Sequence, residues 1–287
     1  MIKSSCVKET PFDYAKRSSI GCGGSAPVAF YPASVEELIS LVAELRSKGQ
    51  PFTVLGNLTN VLPPDCESQT AVVSTKSLTG IEETDSGVFT LAGVTSGRLL
   101  KACKNLRLSG AEFLEGIPCT LGGALYMNAG VSGTYISKIT ESVTVLRSGK
   151  LVVLEKADCK YAYKSSAFMS SNDVIVGARL KLKQTTEEEI SEKTRHYRER
   201  RAHLPKGKSM GCVFKNPDGE IAGKLIEGAG LKGLRVGGAV VSTVHANFII
   251  NDRNATSAQI KTLIALIKNA VFAQYKIRLE EEIRYLP

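Results

Sequence analysis

Apolar residues recur at helical spacing in two segments near the ends of the chain. The first begins after Ser34 and ends before Gly49, and Ser34 followed three residues later by Glu37 is typical of a capping box. The second begins at Thr256. Its apolar positions are Ile260, Leu263, Ile264, Ile267 and Val271. Both patterns predict amphipathic helices that bury one face, whereas the highly charged segment Glu187–Arg201 predicts a solvated helix.

Shorter apolar or alternating runs between these helices predict strands. The predicted strands span residues 52–55, 71–75, 88–92, 142–146, 150–154, 173–182, 211–214, 239–244 and 247–250, with a last one at the end of the chain. Shorter helices are predicted at residues 96–106 and 222–229. This mixture predicts an α+β fold, and 287 residues exceed what one average core fills. We therefore expect a first domain of residues 1–186 and a second of residues 187–287, divided at the charged helix.

Composition and charge argue against several classes of protein. A hydrophobic content of 43% and a mean hydropathy of -0.02 describe an ordinary soluble globule, and no apolar run is long enough to span a membrane. The N-terminus lacks the apolar core of a signal peptide, so we expect a cytoplasmic protein without membrane insertion. The net charge of +9 is spread along the chain and could attract an anionic small ligand as well as nucleic acid. Nucleic-acid binding is disfavoured because aromatic and basic residues are not interleaved.

The cysteines and histidines do not form the patterns of a metal site or a disulfide framework. The seven cysteines are scattered and form no C-x-x-C pair, which indicates reduced and mostly buried thiols. The three histidines all lie beyond residue 186, and no carboxylate pattern accompanies them. We therefore expect neither a metal site nor a catalytic triad.

A glycine-rich stretch at residues 116–130, GIPCTLGGALYMNAG, carries no charged side chain. A bend of this kind before a helix lets the backbone approach a ligand and direct N–H groups at phosphate oxygens. We interpret it as a pyrophosphate cradle, although a tight turn packed against the core would explain this stretch alone. Residues 54–62 have a similar character and follow a predicted strand. The two stretches together could hold one dinucleotide.

Polar residues that could carry chemistry lie in three other places. Cys212 precedes Lys215 and Asn216 in a segment that ends at a proline, and these two side chains could hold a diphosphate or a sugar. An unperturbed thiol has a pKa of about 8.5, so Cys212, if it is buried, stays protonated near neutral pH and could act as an acid. Lys164 follows a tyrosine, and Glu282 ends a run of three glutamates. Structural alternatives remain open: a packed thiol, exposed lysines at turns, and a solvated strand face.

These motifs, in this order, resemble the UDP-N-acetylenolpyruvoylglucosamine reductase (UDP-N-acetylmuramate dehydrogenase) family, in its compact type. The matching segments are residues 20–26, 54–60, 116–130, 163–166, 211–217, 222–226, 245–248 and 279–284. The resemblance implies a two-lobed FAD-binding domain of the PCMH type, followed by a smaller α+β substrate-binding domain. It also implies a cytoplasmic step of peptidoglycan synthesis, in which NADPH reduces FAD. The FAD then reduces UDP-N-acetylglucosamine enolpyruvate to UDP-N-acetylmuramate.

The resemblance implies cofactor-binding residues in both glycine-rich stretches. These are Gly56, Asn57, Leu58, Thr59, Asn60, Gly116, Ile117, Pro118, Cys119, Thr120, Gly122, Gly123, Asn128, Ala129 and Gly130. Because no histidine lies in the first predicted domain, the FAD is expected to be bound non-covalently. The family has glycine where this chain has Leu58 and Cys119. If either position needs a positive φ, its side chain strains the loop, so we hypothesise weaker FAD retention.

The resemblance also implies catalytic and substrate-binding residues. Cys212 takes the position of the family's proton-donating serine. Lys164 and Glu282 take the positions of an arginine and a glutamate that stabilise an enolate, and lysine keeps the charge but lacks the planar fork of arginine. The implied substrate-binding residues are Tyr163, Lys215, Asn216 and Lys224. The implied partners are UDP-N-acetylglucosamine enolpyruvate and NADPH, without nucleic acid, and the oligomeric state stays open.

Other functions remain open at this point. The substituted loops permit a flavin oxidoreductase of the same fold that acts on another substrate. The changes at residues 164 and 212 also permit a non-catalytic module that binds a flavin or a UDP-sugar. Nucleic-acid binding is a more distant alternative, and it would show a steep dependence on salt.

Overall fold

The chain folds into two compact units, each built from several segments. The computed structural model describes residue 2, residues 6–131 and residues 133–287. The first unit comprises the chain up to Glu9, Ala29–Asn57 and Ala71–Ala202, and the second comprises Thr10–Val28, Leu58–Thr70 and His203–Pro287. The charged helix therefore belongs to the first unit, which extends past residue 186. Helices and strands are mixed in the chain, which confirms the predicted α+β class.

The helices and strands are labelled in chain order. The helices are α1 (Tyr14–Arg17), α2 (Val35–Ser47), α3 (Ser96–Asn105), α4 (Leu121–Met127), α5 (Glu187–Arg201), α6 (Ala222–Gly228) and α7 (Ser257–Tyr275). The strands are β1 (Val7–Glu9), β2 (Phe12–Asp13), β3 (Ser25–Ala26), β4 (Ala29–Tyr31), β5 (Phe52–Leu55), β6 (Val61–Leu62), β7 (Ala71–Ser74), β8 (Ile81–Thr84), β9 (Gly87–Leu91), β10 (Leu108–Ser109), β11 (Gly130–Val131), β12 (Thr134–Tyr135), β13 (Thr140–Arg147), β14 (Lys150–Glu155), β15 (Val174–Lys181), β16 (Lys183–Gln184), β17 (Arg235–Val236), β18 (Ala239–Val241), β19 (Ile249–Asn251) and β20 (Arg284–Tyr285). Within the described residues, no helix has both the length and the apolar character needed to cross a membrane.

The first unit contains two main sheets, as the predicted pair of lobes requires. One sheet has the order β1-β4-β7-β5, and its strands β4, β7 and β5 pair in parallel. The helix α2 connects β4 to β5 and buries the apolar face predicted from its spacing. The other sheet is antiparallel and has the order β14-β13-β15-β9-β8. Gly56 and Asn57, which follow β5, and the loop before α4 belong to this unit, whereas Leu58–Thr70 belongs to the second unit.

The position of α4 is fixed by the apolar cluster that covers the five-stranded sheet. Leu121, Ala124 and Leu125 of α4 are at most 3% exposed and belong to this cluster, together with residues of α3, β13 and β15. A helix of 7 residues is too short to be stable alone, so α4 depends on this packing. Burial of each leucine contributes about 1.5–3 kcal/mol, which anchors the glycine-rich stretch at its centre.

The second unit is built around α7. Thr256 caps α7 and forms a capping box with Gln259, and the apolar positions predicted for the helix are all buried. The helix packs against α6 and against strands of the antiparallel sheet β17-β18-β19. Buried residues of α6, α7 and this sheet share one apolar cluster, which also includes Val213 and Phe214.

The segment of residues 211–214 does not form the strand predicted for it. It pairs only through isolated bridges, from Cys212 to Phe248 on one side and from Phe214 to Glu281 on the other. Gly211 at its start has a φ of +77°, outside the extended range, and a proline follows shortly after its end. The segment is therefore held by few backbone bonds, and side chains matter more for its position.

Candidate functional site

The two glycine-rich stretches meet in the first unit, at the end of β5. A Cβ atom added to Gly56 would lie 2.2 Å from Oγ1 of Thr120, so only glycine lets these loops approach so closely. The side-chain amide of Asn57 donates a hydrogen bond to the carbonyl oxygen of Pro118 at 3.2 Å. Four of the predicted cofactor-binding residues are thus neighbours, although they lie about sixty positions apart in the sequence.

The N–H groups in the first turn of α4 already have acceptors within the first unit. The N–H of Leu121 donates to Val94 at 2.8 Å, and that of Gly122 donates to Ala92 at 2.8 Å. The N–H of Gly123 donates to Oγ1 of Thr120, the N-cap of the helix, at 3.4 Å. The prediction that this turn directs its N–H groups at phosphate oxygens is therefore wrong for these three residues.

What this loop offers a flat cofactor is instead a surface with few side chains of its own. The nearest charge is positive, since a Cβ atom added to Gly116 would lie 3.0 Å from Nε of Arg201. Gly123 is exposed, and a Cβ atom there would meet only Thr120, at 3.5 Å. Burial raises the pKa of the Cys119 thiol to about 12, so this residue adds no negative charge near neutral pH. Gly116 has a φ of +70°, the left-handed region that favours glycine. The prediction that close approach of the backbone matters here agrees with these observations.

The end of α4 is connected to the turn that carries Lys164. Asn128 ends the helix with a φ of 45°, and its Nδ2 donates to the carbonyl oxygen of Ala162 at 2.8 Å. Ala162 and Ser165 exchange two backbone hydrogen bonds, of 3.1 and 3.2 Å, which place Tyr163 and Lys164 at the tip of a tight turn. The structure thus brings a predicted cofactor residue close to a predicted catalytic residue and a predicted substrate residue.

The last two predicted cofactor residues after α4 have clear structural roles. The N–H of Ala129 donates to the carbonyl oxygen of Ala124 at 2.8 Å, which closes the end of the helix. A Cβ atom at Gly130 would lie 2.1 Å from the carbonyl oxygen of Thr134 across the β11-β12 hairpin. The hairpin therefore requires glycine at residue 130, whatever the residue does for a ligand.

Cys212 and Glu282 lie on neighbouring segments of the second unit. The N–H of Glu282 donates to the carbonyl oxygen of Val213, the residue after Cys212, at 2.8 Å. The side-chain amide of Asn60 donates to the carbonyl oxygen of Glu282 at 3.1 Å. Two predicted residues, Asn60 and Glu282, are therefore joined by a hydrogen bond within this unit, and Glu282 is bonded to the residue that follows Cys212. Lys164 belongs to the first unit.

Asn247 lies on the other side of residues 211–214, which we call the Cys212 segment. It falls within residues 245–248, one of the segments that resemble the family, but the sequence did not identify Asn247 itself as a site residue. It is 3% exposed. Its Oδ1 accepts from the N–H of Phe214 at 2.9 Å, and its Nδ2 donates to the carbonyl oxygen of Phe214 at 2.8 Å. The available signal was a polar side chain inside an apolar run, between Ala246 and Phe248.

The predicted substrate-binding residues of the second unit have partners of their own. The ammonium group of Lys215 lies 2.5 Å from Oε1 of Glu280 in an ion pair. The Oδ1 of Asn216 accepts from the N–H of Ala222 at 3.0 Å, so this side chain caps the start of α6. Lys224 lies in the first turn of the same helix. The cap explains an asparagine at residue 216 without reference to a ligand.

The two positions where the family has glycine differ in backbone conformation. Leu58 has a φ of 53° and is 5% exposed, so a buried branched side chain sits in the left-handed region. Cys119 is outside the positive-φ region. The condition of the strain hypothesis is therefore met at residue 58 and not at residue 119. Thr59, beside Leu58, belongs to the second unit as well.

Comparison with known proteins places the chain in a family. A family model described as the C-terminal domain of UDP-N-acetylenolpyruvoylglucosamine reductase matches residues 202–286, and one described as an FAD binding domain matches residues 26–155. The reductase of that name from Caldanaerobacter subterraneus subsp. tengcongensis is 36% identical, over 94% of this chain and 90% of its own. The one from Carboxydothermus hydrogenoformans is 36% identical, over 99% of this chain and 95% of its own.

A solved structure agrees with the sequence relatives. The crystal structure of UDP-N-acetylenolpyruvylglucosamine reductase from Thermus caldophilus has a TM-score of 0.84 and 31% identity, and the match covers 98% of this chain and 100% of the other. The resemblance read from the motifs is thus confirmed, and with it the FAD cofactor and the two-lobed fold. The chain belongs to the UDP-N-acetylenolpyruvoylglucosamine reductase family of FAD-dependent oxidoreductases.

Proposed function

We propose that this protein uses NADPH and FAD to reduce UDP-N-acetylglucosamine enolpyruvate to UDP-N-acetylmuramate, a cytoplasmic step of peptidoglycan synthesis. The observation that carries the proposal is the hydrogen-bonded pairing of the Cys212 and Glu282 segments in the second unit. Reduction of an enolpyruvyl group needs a proton donor and an enolate stabiliser at adjacent atoms of one substrate. Two neighbouring segments that each carry one of these groups support that chemistry.

The first unit offers residues that fit FAD. Gly56, Asn57, Pro118 and Thr120 form one contact between the two loops, and neither residues 54–60 nor residues 116–130 include an acidic side chain that would repel a pyrophosphate. These residues, with Gly123, would hold the cofactor by close approach of the backbone. When bound, FAD would supply the hydride that goes to the methylene carbon of the enolpyruvyl group.

Cys212 is proposed as the acid that completes the reaction. Hydride addition to the methylene carbon leaves the electron pair on the adjacent carbon and the carboxylate of the substrate, which is an enolate. The thiol of Cys212 would give its proton to that adjacent carbon, and the resulting thiolate would recover a proton from water. A thiol with a pKa of about 8.5 is a far stronger acid than the serine hydroxyl found in the family.

Lys164 and Glu282 are proposed to stabilise the enolate before the proton arrives. The ammonium group of Lys164 would offset the developing negative charge by direct attraction. Glu282 is kept as the second proposed enolate-stabilising residue, on the segment that pairs with that of Cys212. Tyr163, Lys215, Asn216 and Lys224 are kept as the proposed substrate-binding residues.

The experiment that tests the function follows the flavin absorbance in an anaerobic rapid-mixing apparatus. NADPH first bleaches the oxidised flavin band, and UDP-N-acetylglucosamine enolpyruvate is then added to the reduced protein. We expect the band to return quickly and UDP-N-acetylmuramate to form. A band that stays bleached would instead support a flavin oxidoreductase with another substrate or a catalytically silent flavin or UDP-sugar module.

Two variants of one residue separate a catalytic from a structural Cys212. Cys212→Ala should remove product formation and leave the reduction of FAD by NADPH intact. Cys212→Ser, which restores the family residue, should keep turnover at a lower rate, because a hydroxyl is a weaker acid than a thiol. If Cys212→Ala loses both half-reactions together, the cysteine is structural and the proposed role fails.

A further inference from the structure

The side chain of Asn247 makes the hydrogen bonds to the Cys212 segment that a neighbouring strand would otherwise make. Residues 211–214 form isolated bridges rather than a continuous strand pairing. On the side of Phe248, the backbone N–H and carbonyl groups of Phe214 therefore do not pair with the backbone of a neighbouring strand. The carboxamide of Asn247 pairs with both groups at once, at 2.9 and 2.8 Å. The backbone of Asn247 adds a further bond, since its carbonyl oxygen accepts from the N–H of Val213 at 2.8 Å.

Asparagine is suited to this place because its carboxamide carries an acceptor and a donor side by side. Aspartate has no donor at neutral pH, and an aliphatic side chain has neither group. Loss of the carboxamide would leave two buried backbone groups of Phe214 without their partners, in a residue that is 1% exposed. The requirement at residue 247 is therefore chemical as well as steric.

Asn247 is itself held in place by His245. Its N–H donates to Nδ1 of His245 at 3.2 Å, and burial lowers the pKa of this imidazole below its ordinary value. The ring is therefore neutral at neutral pH, with an unprotonated Nδ1 available as the acceptor. The Cys212 segment, Asn247 and His245 form a connected series of hydrogen bonds within the second unit.

We propose that Asn247 is a positioning residue, which sets the distance between the thiol of Cys212 and the substrate carbon that receives the proton. This inference rests on the proposed role of Cys212 as the acid. Phe214 follows Cys212 by two residues, so a shift of its backbone moves the thiol. A misplacement of about 1 Å at a reacting group can cost on the order of a hundredfold in rate.

The test uses the FAD-loaded full chain with Asn247→Ala and Asn247→Asp, the second of which keeps the size of the side chain and one acceptor. The matched control is Asn251→Ala. Asn251 is as deeply buried, at 4% exposed, and uses its carboxamide just as fully, donating to Ile20 at 2.9 Å and accepting from Ala255 at 2.6 Å. It therefore loses comparable hydrogen bonds, none of them to the Cys212 segment.

We expect both Asn247 variants to slow the reoxidation of the reduced flavin by the substrate about 10- to 100-fold. The reduction of FAD by NADPH should change less than twofold, and Asn251→Ala should change neither rate by more than about twofold. In a Cys212→Ala background, Asn247→Ala should have no further effect on the residual, much slower reoxidation measured over long times, because the group that it positions is gone. A role in general stability would not show this dependence on Cys212.

A second readout does not depend on the cofactor. The rate at which iodoacetamide alkylates Cys212, followed by mass spectrometry of its peptide, should change at least threefold in Asn247→Ala and stay unchanged in Asn251→Ala. The exposed Cys66 serves as the internal reference in each sample.

The outcomes separate this inference from the proposed function. If the substrate fails to reoxidise the wild-type flavin, the proposed function falls and this inference falls with it. Two outcomes would refute the positioning role alone, provided that the wild type turns over. In the first, Asn247→Ala behaves like Asn251→Ala. In the second, Asn247→Ala slows reoxidation by the same factor in the Cys212→Ala background as in the wild-type background. Unchanged alkylation of Cys212 would refute the positioning role as well.

Discussion

Substitution of Gly56 by alanine tests the contact on which the predicted FAD site depends. The added Cβ atom would lie 2.2 Å from Oγ1, 3.2 Å from Cβ and 3.3 Å from Cγ2 of Thr120. Thr120 is 1% exposed, so its side chain has no solvent to move into. Its Oγ1 also caps α4 by accepting from the N–H of Gly123. The methyl group must therefore displace either the loop or the cap.

The expected cost follows from these two effects. Overpacking of a buried site costs about 1–3 kcal/mol, and loss of a threonine N-cap costs about 0.5–2 kcal/mol. Together they predict a loss of about 1.5–5 kcal/mol in the free energy of unfolding, or roughly 3–20 °C in the melting temperature for a domain of this size. FAD affinity should fall as well, because the loops that would hold the cofactor move apart.

The assay is thermal unfolding of the protein with and without FAD, together with a fluorescence titration of FAD. Gly97→Ala is the matched control, since a Cβ atom there meets no heavy atom within 4 Å and should stabilise α3 by up to about 1 kcal/mol. Thr120→Ala removes the atom that clashes. Gly56→Ala should therefore cost much less in a Thr120→Ala background than in the wild type. Equal costs in the two backgrounds would refute the steric argument.

Three further predictions concern Leu58, His245 and the pair Lys164 and Cys212. Leu58→Gly should bind FAD up to about tenfold more tightly in a fluorescence titration, since a left-handed leucine stores about 1–2 kcal/mol of strain. The variant should also melt at a lower temperature, because the leucine side chain is buried. Equal FAD affinities of the variant and the wild type would contradict the strain hypothesis. Burial lowers the pKa of His245, so the unfolded chain binds the proton more readily below about pH 6.5; stability measured by urea unfolding should therefore fall as the pH drops through this range, and His245→Asn should flatten that slope. Lys164→Met should slow flavin reoxidation by the substrate about 10²–10³-fold, because the positive charge is lost. Lys164→Arg keeps the charge and should keep reoxidation, both in the wild-type background and in the Cys212→Ser background.

The elements of the fold that depend on local pattern could be predicted from the sequence. The apolar spacing in α2 and α7 and their capping residues predicted both helices, because burial of one face and satisfaction of the first N–H groups are local requirements. The prediction of a strand at residues 211–214 is wrong. Strand pairing depends on neighbours far along the chain, here Phe248 and Glu281, and the local sequence does not show how these residues pair. Apolar character alone does not distinguish a strand from an extended segment held by side chains.

The candidate site was predictable in its residues and less so in their roles. The sequence indicated that residues 116–130 form a close backbone approach, and Gly56 and Thr120 meet there. It also suggested free N–H groups at the start of α4, but Val94 and Ala92 accept from two of them. Their carbonyl groups lie more than twenty-five residues earlier, where no local motif reveals them. The same reason hid Asn247, whose partner Phe214 is 33 positions away.

If Lys164 and Cys212 have their proposed roles, their two departures from the family would act in opposite directions on the rate. Lysine at residue 164 holds an enolate less firmly than arginine, because it offers a point charge in place of a planar pair of donors. A weakly stabilised enolate has a short lifetime, so its protonation must be fast. A thiol at residue 212 meets this need, because proton transfer to carbon becomes more favourable as the pKa of the acid falls. An acid that acts early would leave less for the cation to stabilise. We therefore propose that Cys212 partly offsets the weaker hold of Lys164 on the enolate, provided that the thiol is held at a fixed distance. The carboxamide of Asn247, which pairs with the backbone two residues after the thiol, would supply that constraint.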